Sequence, residues 1–378
     1  EKEGRYPEAV GISFWGTSNM RTQGDDVAEV LWLLGVRPVW QDENQRVIDL
    51  GVISLEELGR PRIDVTIRMS GFFRDAFPGV VKWLDRAFNL VADLDEPEDQ
   101  NFVRRHVRAQ QEALRSRGYP KEKARARSRF RLFGNKPGVY GAGILAALAD
   151  RTWETGDDLA RIYLEWGGYA YTTESYGEPA RDEFSTRLAA VEIAIHNQDS
   201  REHDIFDSDD YFQFHGGMIA AIRSLTGQPP AAVFGDSSNP ERARVRDLED
   251  EARRVFRARV ANPKWLRAMR RHGYKGALEM AATVDYLFGY DATAEVIEDW
   301  MYERVAEKYL FDEASRKFLE RSNPWAQREM ASRLLEAIAR GMWADPKSET
   351  VARLKQIYLS SEGTLEDRGE SGGAGGSF

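Results

Sequence analysis

The chain has 378 residues, with 53 Lys and Arg against 62 Asp and Glu, a formal net charge of −9 and 42% hydrophobic residues. This balance fits a globular chain of two or three domains with a sizeable core. The absence of cysteine excludes a disulfide framework, a zinc ribbon, an iron–sulfur site and a cysteine nucleophile, and the acidic excess argues against a general nucleic-acid binder.

Residues 1–97 read as an α/β unit. Ala9–Trp15 is a short run of apolar, β-branched and aromatic residues ending at Gly16, and Asp25–Leu34 has helical spacing with Asp at its start and Gly35 after its end. Val36–Trp40, Val47–Ile53 and Ile63–Met69 read as strands, the last followed by Ser70-Gly71 and a helix to about Leu94. This succession predicts a mostly parallel sheet, whose ligands sit beyond the strand C-termini, at Gly16–Asn19 and Ser70–Arg74.

Residues 98–345 read as a larger, mainly α-helical domain. Helices are predicted at 98–116, 121–130, 156–166, 180–196, 240–260, 263–271, 274–288, 294–309, 312–320 and 324–341, several opened by Asn-Pro or Asp-Pro pairs. Residues 346–378 read as a C-terminal helix at 347–359 and a mobile Gly/Ser-rich tail at Ser371–Phe378. The apolar runs, Ile144–Ala149 among them, are far shorter than the ~20 residues of a spanning helix, so no membrane partner and a cytoplasmic location are expected. The chain opens on Glu1-Lys2-Glu3-Gly4 without an initiator Met, as a piece of something longer would.

Charge is unevenly spread. Arg104–Arg131 holds eleven Lys and Arg against Glu112 and Glu122, and a second basic zone runs from Arg242 to Lys275. Such strips suit a small polycarboxylate or phosphate ligand. Between Asp199 and Asp210 lie six acids and one base, Arg201, among three of the five histidines, His196, His203 and His215. On a single helix, His196, Asp199, His203 and Asp207 would share a face, and imidazole with carboxylate suits a divalent first-row metal. The competing reading makes these acids helix caps. Ser70–Asp75 offers Gly, two Phe, Arg and Asp at a strand end, against which stands a plain helix start. Gly134–Gly143 is a glycine-rich loop holding Lys136 and Tyr140, without the Lys-Ser/Thr of a phosphate loop. The aromatic stripe Trp265, Tyr286, Phe288, Tyr290, Trp300, Tyr302 and Tyr309 reads as core.

Taken together, Gly59–Asp75, Phe133–Gly143, Trp166–Tyr171, Asn197–Gly217 and Asn262–Leu287 resemble the CobN-type large subunit of aerobic cobaltochelatase, a family related to the large subunit of magnesium chelatase. The resemblance covers most of residues 5–345. Gly59–Asp75 is shared by both branches, whereas Asn197–Gly217 and His272–Tyr290 look like the cobalt branch.

The resemblance implies ATP-dependent insertion of Co²⁺ into hydrogenobyrinic acid a,c-diamide during cobalamin synthesis. Separate AAA+ partner subunits would bind ATP and Mg²⁺. It also implies candidate sites. His196, Asp199, His203, Asp209 and His215 would meet the metal; His203, Asp204 and Asp207 would assist metal delivery or accept ring protons. Arg74, Lys136, Arg201 and Lys275 would meet corrinoid carboxylates, with Gly138, Tyr140 and Gly141 shaping the loop beside the ring. The family's His-Gly-Thr-Glu-type motif is missing here, so the chain is expected to be the C-terminal part of such a subunit and not competent alone. The same fold could serve a magnesium- or nickel-type chelatase, or the chain could be a non-catalytic module that docks the motor.

Overall fold

The computed structural model describes residues 4–367; the Gly/Ser-rich tail expected at 371–378 lies outside them. The described residues divide into two compact units, one of 4–201 and 213–247, the other of 202–212 and 248–367. The boundary expected at 97 falls inside the first unit.

The first unit is built on a mixed, mostly parallel sheet. Its strands are β1 (Ala9–Phe14), β4 (Asp64–Met69), β5 (Leu132–Gly134), β6 (Tyr169–Tyr171), β7 (Tyr176–Pro179), β8 (Ile193–Gln198), β9 (Ala231–Asp236) and β10 (Arg244–Asp247), while β2 (Val36–Trp40) and β3 (Val47–Val52) form a separate antiparallel hairpin. The sheet order is β10-β9-β8-β1-β4-β5-β6-β7. Strands β9, β8, β1, β4 and β5 run parallel; β6 pairs antiparallel with both β5 and the edge strand β7, and β10 pairs antiparallel with β9 at the other edge. Every residue of β1 and β4 is buried, as befits central strands covered on both faces. Val10, Ile12, Phe14, Val65, Ile67 and Met69 pack there with Leu84, Phe88 and Val91 of the helix Pro78–Ala92.

The α/β character, β1, β4 and the helix Asp25–Leu34 match the sequence reading, and the C-terminal region is mainly helical as expected. Three expectations need correction. The hairpin β2–β3 stands apart from the parallel sheet. The helix predicted at 180–196 ends at Leu188 and gives way to β8, and that predicted at 240–260 is a 3-10 turn at Pro240–Arg242 and then β10 before a helix at Leu248–Val255. Six of the eight sheet strands thus lie in the region read as mainly helical, two of them, β8 and β10, overlapping predicted helices. They are 3 to 6 residues long and are held by sheet pairing, which local periodicity does not register.

The second unit is mainly helical. Phe288, Tyr290, Tyr302 and Tyr309 are buried as expected, and Tyr302 stacks on the buried Trp343. The Tyr302 hydroxyl donates to the buried Asp291 carboxylate at 2.7 Å.

Candidate functional site

The parallel strands end on a common rim, and the sequence lays three different surfaces along it. The first follows β4 and β5. Ser70 caps the helix Gly71–Ala76 by accepting from the Phe73 N–H, which leaves Phe72 pointing outward and 44% exposed. Two glycines make room for the rings: a Cβ on Gly16 would lie 2.4 Å from Phe72, and one on Gly71 would lie 2.5 Å from Tyr140. Tyr140 and Tyr176 are exposed, and their hydroxyls donate to the two Asp75 carboxylate oxygens at 2.7 and 2.9 Å. The result is an exposed aromatic edge of Phe72, Tyr140 and Tyr176.

Arg74 was expected to face a ligand, yet the fold spends its guanidinium internally. It is buried, donates from two nitrogens to Asp75 and reaches the carbonyls of Asn135, Lys136 and Val139. The Arg74 hydrogen bonds, together with those from the two tyrosines, hold the Asp75 carboxyl well below the usual carboxylate range. Arg74 therefore braces the loop, in which Gly138 and Gly141 adopt positive φ, while the Lys136 side chain is exposed.

The second surface lies where β1 meets β8. Asn197 donates to both Asp26 and Glu29 of the helix Asp25–Leu34, and Asn19 donates to the other Asp26 oxygen at 2.8 Å. Gly235 of β9 allows this, because a Cβ there would collide with the Asn197 amide oxygen. Burial, with the neighbouring Glu29 charge and against the Asn197 hydrogen bond, raises the Asp26 carboxyl to about 6; burial raises Glu29 as well. Both acids line a cleft of about 250 Å³.

The third surface is a larger cleft of about 600 Å³ at the ends of β8 and β9. Arg201, Arg242 and Arg244 line it with Ser200, Ser238 and Asn239. Arg201, expected as a carboxylate partner, is exposed and anchored to Asp236 at 2.8 Å and Ser238 at 2.9 Å. Arg246 also pairs with Asp236. Asp199, in the same wall, is gripped by both Arg21 donors at 2.7 and 2.9 Å. Arg242 and Arg244 are exposed and have no carboxylate partner among the described residues.

The metal-directed residues are not on one helical face. His196 is in β8, residues 199–208 are irregular, and Asp209 opens a three-residue helix. His196, Asp199 and His215 belong to the first unit, His203, Asp204, Asp207 and Asp209 to the second. His196 and His215 are buried, with ring centroids 5.8 Å apart, beside Phe234. The Trp15 indole N–H donates to His196 Nε2 at 2.9 Å. Burial, reinforced by His215, pushes the His196 imidazole well below its ordinary value; burial lowers His215 to about 4.

In the second unit, Arg259 pairs with Asp204 at 3.1 Å and also with Asp207. Asp204 accepts from the Phe206 N–H, and Ser208 caps the helix carrying Asp209. Asp204 thus closes a turn within the irregular stretch, and Asp209 sits in the first turn of a helix whose cap is Ser208. His203 is exposed, with Nδ1 3.6 Å from Asp207. Lys275 is exposed, 3.9 Å from Glu279. Among the described residues, no group of three or more His, Asp or Glu is arranged to hold a metal.

The basic strip Arg104–Arg131 also changes meaning. Arg104, Arg105, Arg108, Arg117, Arg127, Arg129 and Arg131 pair with Asp95, Glu8, Glu98, Asp182, Glu183, Asp93 and Asp64, respectively. Most of its arginines thus serve the fold. Sequence reasoning missed Arg244, Asp26 and Glu29 and named Arg242 only as the edge of a basic zone. The acid at the start of a helix in Asp25-Asp26 was visible, but its convergence with Asn197 was not.

The sequence profile described as CobN/Magnesium Chelatase matches residues 1–350. The solved catalytic subunit of cobaltochelatase from Mycobacterium tuberculosis is 56% identical and superposes with a TM-score of 0.92, over 96% of this chain and 30% of that one. The aerobic cobaltochelatase subunit CobN of Pseudomonas aeruginosa is 50% identical over 96% of this chain and 29% of its own length. The chloroplastic magnesium-chelatase subunit ChlH of Oryza sativa subsp. japonica is 35% identical over 96% of this chain and 26% of its own. The chain thus spans about 30% of the length of these cobaltochelatase relatives.

Proposed function

Because this chain belongs to the CobN/magnesium chelatase family, we propose that it is the part of a cobaltochelatase subunit that holds the tetrapyrrole at the rim of its parallel sheet. The observation that carries this reading is the exposed edge of Phe72, Tyr140 and Tyr176 beyond β4 and β5. Aromatic faces suit a flat conjugated ring, and the strand C-termini are where such sheets bind ligands. The reaction is ATP-dependent insertion of Co²⁺, as substrate metal, into hydrogenobyrinic acid a,c-diamide, with ATP hydrolysed by AAA+ partner subunits. Greater identity to the cobalt than to the magnesium relative supports cobalt.

Metallation requires ring N–H protons to leave. Asp26, with its carboxyl near 6, and Glu29 suit that task from the cleft they line. His203 with Asp207 and Asp204 is the group we assign to cobalt hand-over; His203 offers an exposed imidazole, and Arg259 holds both acids in place.

The test is titration of the intact protein with hydrogenobyrinic acid a,c-diamide and with protoporphyrin, followed by cobalt insertion with all partners present. Tighter binding of the corrinoid, and about tenfold weaker binding after Phe72→Ala with Tyr140→Ala, is expected. Preference for protoporphyrin would move the assignment to another metal. Tight motor binding without ring binding would make the chain a docking module. Unchanged insertion after His203→Ala with Asp207→Ala would reduce that stretch to helix caps.

A further inference from the structure

The 600 Å³ cleft beyond β8 and β9 stands out electrostatically. This is a chain of net charge −9, in which most arginines of the long basic strip are neutralised by its own acids. Three guanidinium groups nevertheless line one opening. Arg201 is fixed by Asp236 and Ser238, so its position is set before any ligand arrives. The wall's one acid, Asp199, is neutralised by Arg21. Arg242 follows the cap formed by Asn239, which accepts from the Glu241 N–H, and Arg244 begins β10 opposite Asp236. Short elements thus hold both beside Arg201, with their charges uncompensated among the described residues.

Guanidinium groups recognise carboxylates through paired, charge-assisted hydrogen bonds. The sheet order sets the distance from this cleft to the aromatic edge. From β4 to β9 there are three inter-strand steps, roughly 14 Å at the usual spacing. A macrocycle resting on Phe72 and Tyr140 would extend its peripheral arms that far.

We infer that Arg242 and Arg244, with Arg201, form a carboxylate clamp that selects rings bearing acidic side chains at one edge and fixes the ring's rotation on the rim. This rests on the chelatase reading and names what that site discriminates.

The test measures affinity of the intact protein for hydrogenobyrinic acid a,c-diamide and for its fully amidated analogue, in wild type, R242Q/R244Q and R242K/R244K. The clamp predicts that the glutamine pair weakens the acid-bearing ring by about 10- to 100-fold, flattens the salt dependence of its binding, and leaves the amidated ring within about twofold. The lysine pair should recover part of the loss, because charge remains while the fork geometry is lost. Equal loss for both rings, or none for either, would overturn the clamp and leave the chelatase reading standing. If wild type bound neither ring, both would fail. If the glutamine pair lost affinity for ATP and kept ring affinity, the cleft would be a phosphate site and the clamp would be wrong. Both arginines are exposed, and an unchanged thermal midpoint verifies that the variants fold.

Discussion

The Trp15 indole N–H donates to His196 Nε2 at 2.9 Å, tying the end of β1 to the middle of β8. The bond fixes Nε2 as an acceptor, so the ring is neutral with its proton on Nδ1. Nε2 is therefore occupied by the tryptophan. Trp15→Phe should leave it buried without its donor and cost about 1–3 kcal/mol, read from the urea midpoint at unchanged m-value.

His215 gives the first unit an acid-sensitive element. Its folded value of about 4 lies below the ordinary 6.5, so between these pH values the unfolded chain binds the extra proton. Its contribution is complete above about 6.5 and is lost as pH falls toward 4, by about 3 kcal/mol in all. Asp26 and Asp291, raised to about 6 chiefly by burial, act with the opposite sign as pH rises from 3.8. The check is therefore the difference between wild type and His215→Gln, which should shrink as pH drops from 7 to 4.

Asp64 is the strongest candidate for a stability hot spot. It sits buried at the start of β4 and accepts from Arg131 at 2.7 and 3.1 Å, from Arg187 at 2.8 Å, and meets His106 Nδ1 at 2.9 Å. Burial alone would raise its carboxyl; the charges of Arg131 and Arg187 and the His106 hydrogen bond outweigh it and hold the group ionised. Asp64→Asn should cost about 3–5 kcal/mol, because two buried guanidinium groups lose their counter-charge. Chemical denaturation would show it; a loss under 1 kcal/mol would mean the arginines find other partners.

Arg74→Lys tests the bracing role. One ammonium cannot reproduce the paired contact to Asp75 and the three carbonyl contacts at once. The variant should lose about 2–4 kcal/mol and become more readily cleaved by chymotrypsin after Tyr140, in the loop that Arg74 holds. If Arg74 instead met the substrate, ring affinity would fall with stability and proteolysis unchanged.

Gly16→Ala probes the aromatic edge without touching charge. The new Cβ would displace the Phe72 ring, whose exposed side has room to move. Stability should change by less than about 1 kcal/mol, while ring affinity falls severalfold in an absorbance titration. Unchanged affinity would remove Phe72 from the binding surface.

The central strands β1 and β4, the capped helix Asp25–Leu34 and the rim at Gly16 and Ser70 were legible from apolar runs and their punctuation, and the quoted motifs sufficed to reach the family. Those signals are local: buried parallel strands are continuously apolar, and caps are single residues beside a helix. The acidic, histidine-bearing stretch misled because sequence spacing assumes one regular helix, whereas sheet pairing with Ala231–Asp236 pulled His196 into a strand.

The sequence by itself determined which charges the chain carries and where they cluster. Only the tertiary structure decided which of them are available. The dense strip from Arg104 to Arg131 is largely consumed by ion pairs to acids such as Asp64, Glu178 and Glu183, the last two more than 50 residues further on from Arg127. Arg242 and Arg244, which the sequence showed only as the edge of a basic zone, are exposed and line a cleft. The physical reason is that a buried or half-buried cation must be compensated by whatever the fold brings beside it, and partners that distant in sequence leave no mark on local pattern.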